Sequence, residues 1–186
     1  MNAHEPINAL LVAALAAAAE GYHVFPCLPN KKEPAVKAWQ KLATTDPDQI
    51  KKWWQQNPDF NIGVVPALSG CYVLDQDGPV GGEGLARLER DHGSLPDTLM
   101  VRTPSGPSNF HRWYAGECPN SVGTLAEKVD TRGRSLDGRL GYALLPPSRT
   151  QKGGYEYVLL LGMVMFFIAL AGGRRYSLDR LISKEL

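Results

Sequence analysis

The sequence predicts one α+β domain, and three observations lead to this class. Segments with the helical spacing of apolar residues are mixed with short extended segments, without the regular alternation that repeated βαβ units would give. The chain has 186 residues, of which 44% are hydrophobic, which is enough for one sizeable core but cramped for two. No internal repeat is visible. We therefore expect a single mixed domain.

The N-terminal segment predicts a helix. Strong helix formers run from Ile7 to Glu20, and Gly21 supplies a stop. A secretory signal peptide is the alternative for this Ala-rich segment, but Glu5 stands where a basic residue is expected. The letters YHVFPCLP then predict a short strand interrupted by prolines, and NKKEPAVKAWQK predicts a polar, basic loop.

A second helix is predicted within TTDPDQIKKWWQQNP. Thr45 or Asp46 can serve as its N-cap, and the proline that follows suits the first helical position. Ile50, Trp53 and Trp54 have the i, i+3, i+4 spacing of one apolar face. We expect the two tryptophans to pack in the core rather than to stack on nucleic-acid bases.

The remaining segments predict mostly strands. NIGVVPAL and CYVLDQD are two apolar strand candidates separated by a turn at Ser69 and Gly70. GPVGGEG predicts a glycine-rich loop, followed by a short helix over LARLERDHG. Further extended segments are predicted at LMVRTPSG, FHRWYAG, EKVDTRGR and GYALLPPS. The uncharged run 158–173 is shorter than the roughly 20 residues of a membrane helix, so a buried element is favoured over a membrane anchor.

Charge and cysteine content restrict the class of function. The 20 Lys and Arg residues nearly balance the 19 Asp and Glu residues, which argues against a protein that coats DNA by bulk charge but allows an enzyme with a local basic patch. The three cysteines are widely spaced and form no C-x-x-C pair, and the histidines lack metal-ligand spacing. We therefore expect a reducing cytoplasm, without a disulfide framework or a zinc site.

Two acids, Asp75 and Asp77, stand at i and i+2 where the CYVLDQD strand ends. Side chains at this spacing share one face of a strand, with Gln76 on the other face. The two carboxylates repel unless a cation lies between them or one is protonated, and oxygen ligands of this kind suit Mg²⁺ or Mn²⁺. The alternative is a turn, because Asp-x-Asp-Gly is ordinary turn chemistry. The spacing fits no EF-hand, P-loop or Rossmann fingerprint.

Other segments supply the groups that a metal-bound triphosphate requires. VRTPSGPSNFHRWY carries Ser105 and His111, and KVDTRGR carries a third acid, Asp130, with Arg132. NKKEP adds two lysines. Each group also has an ordinary structural explanation. Asp130 and Arg132 can form a surface ion pair, His111 can be a half-buried strand residue, and the lysines can lie in a solvated loop.

The order of these segments resembles the N-terminal prim-pol domain of bifunctional DNA primase/polymerases, in the archaeo-eukaryotic primase superfamily. The matching stretches are EGYHVFPCLPNKKEP, ATTDPDQIKKWWQQNPDFNIGV, LSGCYVLDQDG, GEGLARLERDHGSLPDT, VRTPSG, VDTRGR and GYALLPPS. The resemblance implies a divided catalytic core with an RRM-like half at residues 7–157, followed by an apolar, then basic and amphipathic tail at 158–186. It also implies synthesis of a nucleic-acid strand from nucleoside triphosphates on a DNA template with divalent metal, in plasmid, phage or mobile-element replication.

The resemblance also implies roles for individual residues. Asp75, Asp77 and Asp130 would be the catalytic metal ligands. Ser105, a histidine, Arg132 and Lys32 would contact the incoming nucleotide. The helicase region that often follows such domains is absent, so the chain would be a stand-alone domain, a fragment or a degenerate relative. A replicative helicase in trans is an expected partner.

Three departures from the family pattern leave alternatives open. The family usually reads Ser-Gly-Gly-x-His, but here Ser105-Gly106 is followed by Pro-Ser-Asn, so that Asn109 or, after a two-residue insertion, His111 stands at the histidine position. We favour His111, because the aromatic residues after it then match. RSLDGRL looks inserted, and the apolar tail differs from the family's continuation. A non-catalytic module that binds nucleotide or single-stranded DNA in a replication complex is therefore the alternative function.

Overall fold

The computed structural model describes residues 8–150, 154–155 and 157–158 of the chain. Within them, helices accompany antiparallel sheets, and the predicted α+β class is confirmed. The helices are α1 (Ala9–Ala19), α2 (Trp39–Leu42), α3 (Pro47–Gln56) and α4 (Gly78–His92). The strands are β1 (Val24–Cys27), β2 (Asn61–Val64), β3 (Cys71–Gln76), β4 (Leu99–Arg102), β5 (Phe110–Ala115), β6 (Ser121–Ala126), β7 (Val129–Arg132), β8 (Ala143–Leu145), β9 (Arg149–Thr150), β10 (Gly154–Tyr155) and β11 (Tyr157–Val158).

Two larger sheets organise the fold. A three-stranded sheet has the order β1-β2-β8, and a six-stranded sheet has the order β11-β4-β5-β3-β7-β6. All recorded pairings within them are antiparallel. The two sheets correspond to the divided core that the resemblance implies. A short β9-β10 pair follows the small sheet in the chain.

Helices α1 and α3 begin where capping residues stand in the sequence. The Asn8 side chain accepts hydrogen bonds from the first turn of α1, and the Asp46 side chain accepts one from Asp48 N at the start of α3. The apolar face predicted for α3 is buried, with Trp53 and Trp54 at most 5% exposed. The interpretation of both tryptophans as core residues is therefore confirmed.

The main core lies between α1, α3 and one face of each sheet. Its buried members from the large sheet include Cys71 and Val73 of β3, which alternate with residues that face the opposite side. Asp75 continues the same face by one further step of the alternation. At this end of β3, the residue next to the main core on the same face is therefore a buried acid.

The opposite face of the large sheet is covered by α4, and here one prediction was wrong. The segment GPVGGEG, expected as a loop, forms the first turns of α4. Its glycines allow close packing, because a Cβ added at Gly81 would lie 2.4 Å from Lys128 O and one at Gly84 would lie 2.9 Å from the Ala126 Cβ. The glycines therefore reflect contact between the helix and the β6-β7 turn, which local propensity does not reveal.

Several elements were not predicted from the sequence, among them the short strands β9, β10 and β11. The short helix α2 lies inside the segment expected to be a loop, and β6 extends the large sheet beyond β7. The segment RSLDGRL turns between Arg134 and Leu140, which form an isolated antiparallel bridge. The tail expected at 158–186 lies, apart from its first residue, outside the described residues, and the domain boundary at 157 stays a prediction. No helix among the described residues is long and apolar enough to cross a membrane.

We expect Gly81→Ala and Gly82→Ala to differ in stability although both place alanine in α4. At Gly81 the added methyl meets backbone, which cannot move easily, so the free energy of unfolding should fall by about 1–3 kcal/mol. At Gly82 the methyl meets the end of the Gln76 side chain at 3.2 Å, and the helix propensity of alanine, worth about 1 kcal/mol, offsets this contact. Urea unfolding of the two variants measures the difference, and equal losses would contradict the packing of α4.

Candidate active site

Strand register brings three of the predicted site residues into one row. Asp75 of β3 lies directly opposite Asp130 of β7 on one side and His111 of β5 on the other. Asp75 and His111 are buried, at 8% and 4% exposure, and Asp130 is partly buried. Residues directly opposite each other in antiparallel strands have side chains on the same face. The row therefore projects two acids and an imidazole towards one point.

Arg132 joins the two acids of this row. It lies two residues after Asp130 and so on the same face of β7. Its Nη2 atom donates to Asp75 Oδ2 at 2.7 Å and to Asp130 Oδ2 at 2.9 Å. The remaining carboxylate oxygens are also engaged, since Asp75 Oδ1 lies 3.4 Å from His111 Nε2 and Asp130 Oδ1 accepts from Gly123 N at 2.8 Å.

These contacts set the protonation of the row. Burial opposes ionisation of Asp75, but contact with His111 and Arg132 outweighs it, so the pKa of Asp75 lies far below its usual range. Burial also opposes ionisation of Arg132 and so lowers its pKa. The negative charges of Asp75, Asp130 and Asp77 outweigh burial and raise that pKa above its usual value. Asp75 is therefore a carboxylate and Arg132 a cation at neutral pH.

Asp77 lies beyond the row, where β3 gives way to α4. It is exposed and stands at the N-cap of α4, and its Oδ1 accepts a hydrogen bond from Asn109 Nδ2 at 2.8 Å. Gln76 faces the other side of the sheet, where its side chain bonds Ser108 O and Arg112. Both candidates for the family histidine position thus contact an acid, His111 beside Asp75 and Asn109 beside Asp77.

Two cavities adjoin the acids. The first has a volume of about 310 Å³ and lies between the sheets. Its polar side consists of Lys32, Asp75, His111 and Arg132, and its other side consists mainly of Trp39, Leu140, Tyr142, Ala143 and Leu144. The second is an open groove of about 800 Å³ beside Asp77, lined also by Lys31, Lys32, Ser105, Asn109 and Lys128. Lys32 lines both cavities, whereas Ser105 lies in the groove and not in the row.

Loop contacts from the small sheet hold Lys32 in place. The buried amide of Asn61 donates to Lys31 O at 2.9 Å and to Arg149 O at 2.6 Å, which ties the Lys31-Lys32 loop to β9. The Tyr142 hydroxyl donates to Lys32 O at 2.8 Å, and the Tyr142 ring lies 4.8 Å from that of Trp39. The sequence analysis assigned no role to Asn61, Trp39 or Tyr142. These residues lie far apart in the chain, and no motif in the sequence indicates that their segments meet.

One family model matches the sequence. Its description is bifunctional DNA primase/polymerase, N-terminal, and it matches residues 14–161. The chain belongs to this family. The prim-pol assignment made from the sequence segments is thereby confirmed. No curated protein matches the sequence significantly. Membership implies a primase/polymerase type of activity, with DNA and nucleotides as substrates, and the family is generally metal-dependent.

The donor set of this prim-pol domain suits a divalent cation in its chemistry. Asp75, Asp77 and Asp130 offer carboxylate oxygens, which Mg²⁺ and Mn²⁺ prefer. The Nδ1 of His111 is buried and has no hydrogen-bond partner among the described residues. In the part of the chain that the structure describes, no three such side chains are arranged to hold a metal, and Arg132 Nη2 lies within hydrogen-bond distance of both Asp75 and Asp130. Asp75 and Asp130 would have to give up their contacts with Arg132 before both could bind one ion.

We expect Asp75→Asn to destabilise the fold in a pH-dependent way. At pH 7 the change replaces one of the two carboxylates that Arg132 contacts by a neutral amide, which costs about 1–3 kcal/mol of unfolding free energy, the range for a hydrogen bond to a charged group. Since the pKa of Asp75 is lowered on folding, its contribution is fully present above about pH 4 and is lost as the pH falls towards the folded pKa. Urea unfolding of wild type and variant should therefore show a gap that narrows below pH 4. Exposed Asp97→Asn is the control, and a gap that stays constant down to pH 2.5 would contradict the ion pair.

Proposed function

We propose that the chain is a metal-dependent DNA primase/polymerase that joins nucleotides on a DNA template, in the replication of a plasmid, phage or mobile element. The observation that carries the proposal is the row of Asp130, Asp75 and His111 at a cavity between two sheets, in a chain of the prim-pol family. Asp75, Asp77 and Asp130 would hold Mg²⁺ or Mn²⁺. When bound, these ions would neutralise phosphate charge and activate the attacking hydroxyl.

The two-sided cavity supports a nucleotide as the substrate. A nucleoside triphosphate joins a planar base to a charged tail, and the cavity joins an apolar wall with Trp39 and Tyr142 to a charged wall with Lys32 and Arg132. Its volume of about 310 Å³ lies at the small end of ligand sites. We assign the base or sugar to the aromatic wall and the phosphates to the cationic side, where the groove with Ser105 continues.

The reaction would need no covalent enzyme intermediate. A 3′-hydroxyl, or the hydroxyl of a first nucleotide, forms a bond to the α-phosphorus, the bond to pyrophosphate breaks, and the hydroxyl proton passes to solvent. Lys32 and Arg132 would balance the charge of the phosphates, and His111 would donate to a phosphate oxygen. DNA would follow the open groove beside Asp77, where Lys31 and Lys128 supply positive charge. A helicase in trans and a cytoplasmic location remain parts of the proposal.

A second candidate is a module that binds nucleotide or single-stranded DNA without catalysis. The position of Arg132 between Asp75 and Asp130 favours it, because the described acids are paired with an internal cation rather than grouped for a metal. Tight binding of nucleotide or DNA without incorporation in Mg²⁺ or Mn²⁺ would select this function over the first.

Template-dependent nucleotide incorporation should depend on the acid pair. We expect Asp75→Asn combined with Asp77→Asn to lower the rate at least about 100-fold, the scale seen when a preorganised electrostatic group is removed. Incorporation of labelled nucleotide on a primed and an unprimed template, with Mg²⁺ or Mn²⁺, measures this. Asp97→Asn, in an exposed loop before β4, is the matched control. Full activity of the double variant would reject the assignment of Asp75 and Asp77.

The aromatic wall should contribute to nucleotide affinity. We expect Trp39→Ala to weaken binding of a nucleoside triphosphate about tenfold or more, in the range of base stacking on an aromatic side chain. Trp39→Phe keeps a flat ring and should retain most of the affinity. Calorimetric titration with a triphosphate whose α–β bridge is a methylene group measures both variants. Equal affinities of wild type and Trp39→Ala would place the base elsewhere.

A further inference from the structure

One nitrogen of Arg132 occupies the position between the two acids of the row. Its distances to Asp75 Oδ2 and Asp130 Oδ2 are 2.7 and 2.9 Å. A Mg²⁺ ion bound by the same two oxygens would lie about 2.1 Å from each. The guanidinium and the ion therefore cannot occupy this position together. One of them has to leave before the other binds.

Strand pairing explains why a cation is needed there at all times. Asp75 and Asp130 are directly opposite each other on β3 and β7, where like charges destabilise a sheet. Arg132 lies two residues after Asp130 on the same face of β7. The chain itself therefore supplies the positive charge, and no bound cation is needed. Its side chain is 27% exposed, which leaves a route from the acids into the cavity that it lines.

We propose that Arg132 keeps divalent metal off Asp75 and Asp130 until a nucleoside triphosphate binds, and that its guanidinium then transfers from the acids to the phosphates. The inference rests on the proposed function, because it needs a triphosphate in the cavity. The transfer replaces two carboxylate contacts by phosphate contacts, for which the planar guanidinium is well suited. The freed carboxylates then take the metal.

The transfer couples the two ligands. A triphosphate that draws Arg132 away raises the affinity of the acids for metal, and by thermodynamic linkage metal raises the affinity for the triphosphate to the same degree. The chain would thus avoid holding metal at an empty site. Arg132 acts as a positioning residue for the metal and as a direct ligand of the phosphates.

The test is a pair of calorimetric titrations on the full chain, comparing wild type with Arg132→Gln. The first titrates Mn²⁺ alone, and the second titrates the methylene-bridged triphosphate at saturating Mn²⁺. We expect Arg132→Gln to bind Mn²⁺ alone about tenfold more tightly and the triphosphate about tenfold more weakly, within the usual range of coupling between sites. Exposed Arg134→Gln, two residues along the chain, should change neither affinity.

Each other outcome overturns the proposal. If both affinities fall, Arg132 has only a structural role; if only the triphosphate affinity falls, it is a phosphate ligand that does not compete with metal. If Arg132→Gln does not fold without Mn²⁺, Arg132→Lys replaces it, and the same opposite changes are expected at smaller size. Neither titration requires turnover, so a chain that shows the opposite changes but incorporates no nucleotide would reject the proposed polymerase activity and leave this inference standing.

Discussion

The contact of Arg132 with Asp75 and Asp130 is the interaction on which the arrangement of the site depends. It joins β3 to β7 by charge at the position where the backbone register has already placed two carboxylates opposite each other. Without a cation this register would be unfavourable, because neither acid can move to bulk solvent without leaving the sheet. The register and the ion pair therefore support each other, and His111 on β5 completes the row from the other side.

The location of the row follows from the packing of two sheets. Along β3, Cys71 and Val73 point into the main core, and Asp75 is the next residue on that face. The core ends there because the small sheet and the aromatic pair of Trp39 and Tyr142 leave a cavity instead of closing over the acid. A buried charge at the margin of a core is costly unless it is paired, so the cavity and the ion pair belong to one arrangement.

The sequence alone predicted those parts of this arrangement that depend on local interactions. The strand that carries Asp75, the helix start at Thr45 or Asp46 and the buried face of α3 all depend on neighbours within a few residues. The pairing of β3 with both β5 and β7 depends on contacts between distant segments, and only the resemblance to the family indicated that Asp75 and Asp130 would meet. The glycine segment of α4 was misread for the same reason, since the need for Gly81 arises from Lys128 O, which lies in another hairpin.

The segment SGPSNFH contains both candidates for the family histidine position, Asn109 and His111. The loop between β4 and β5 closes on itself, because Asn109 N donates to Gly106 O and Asn109 O accepts from Thr103 N at 3.0 Å. From Phe110 onward β5 is in regular register with β3, which leaves His111 opposite Asp75. The loop therefore brings Asn109 to Asp77, while the alternation of side chains along β5 fixes His111. Two residues that compete for one position in an alignment thus hold separate positions in the fold, each beside a different acid.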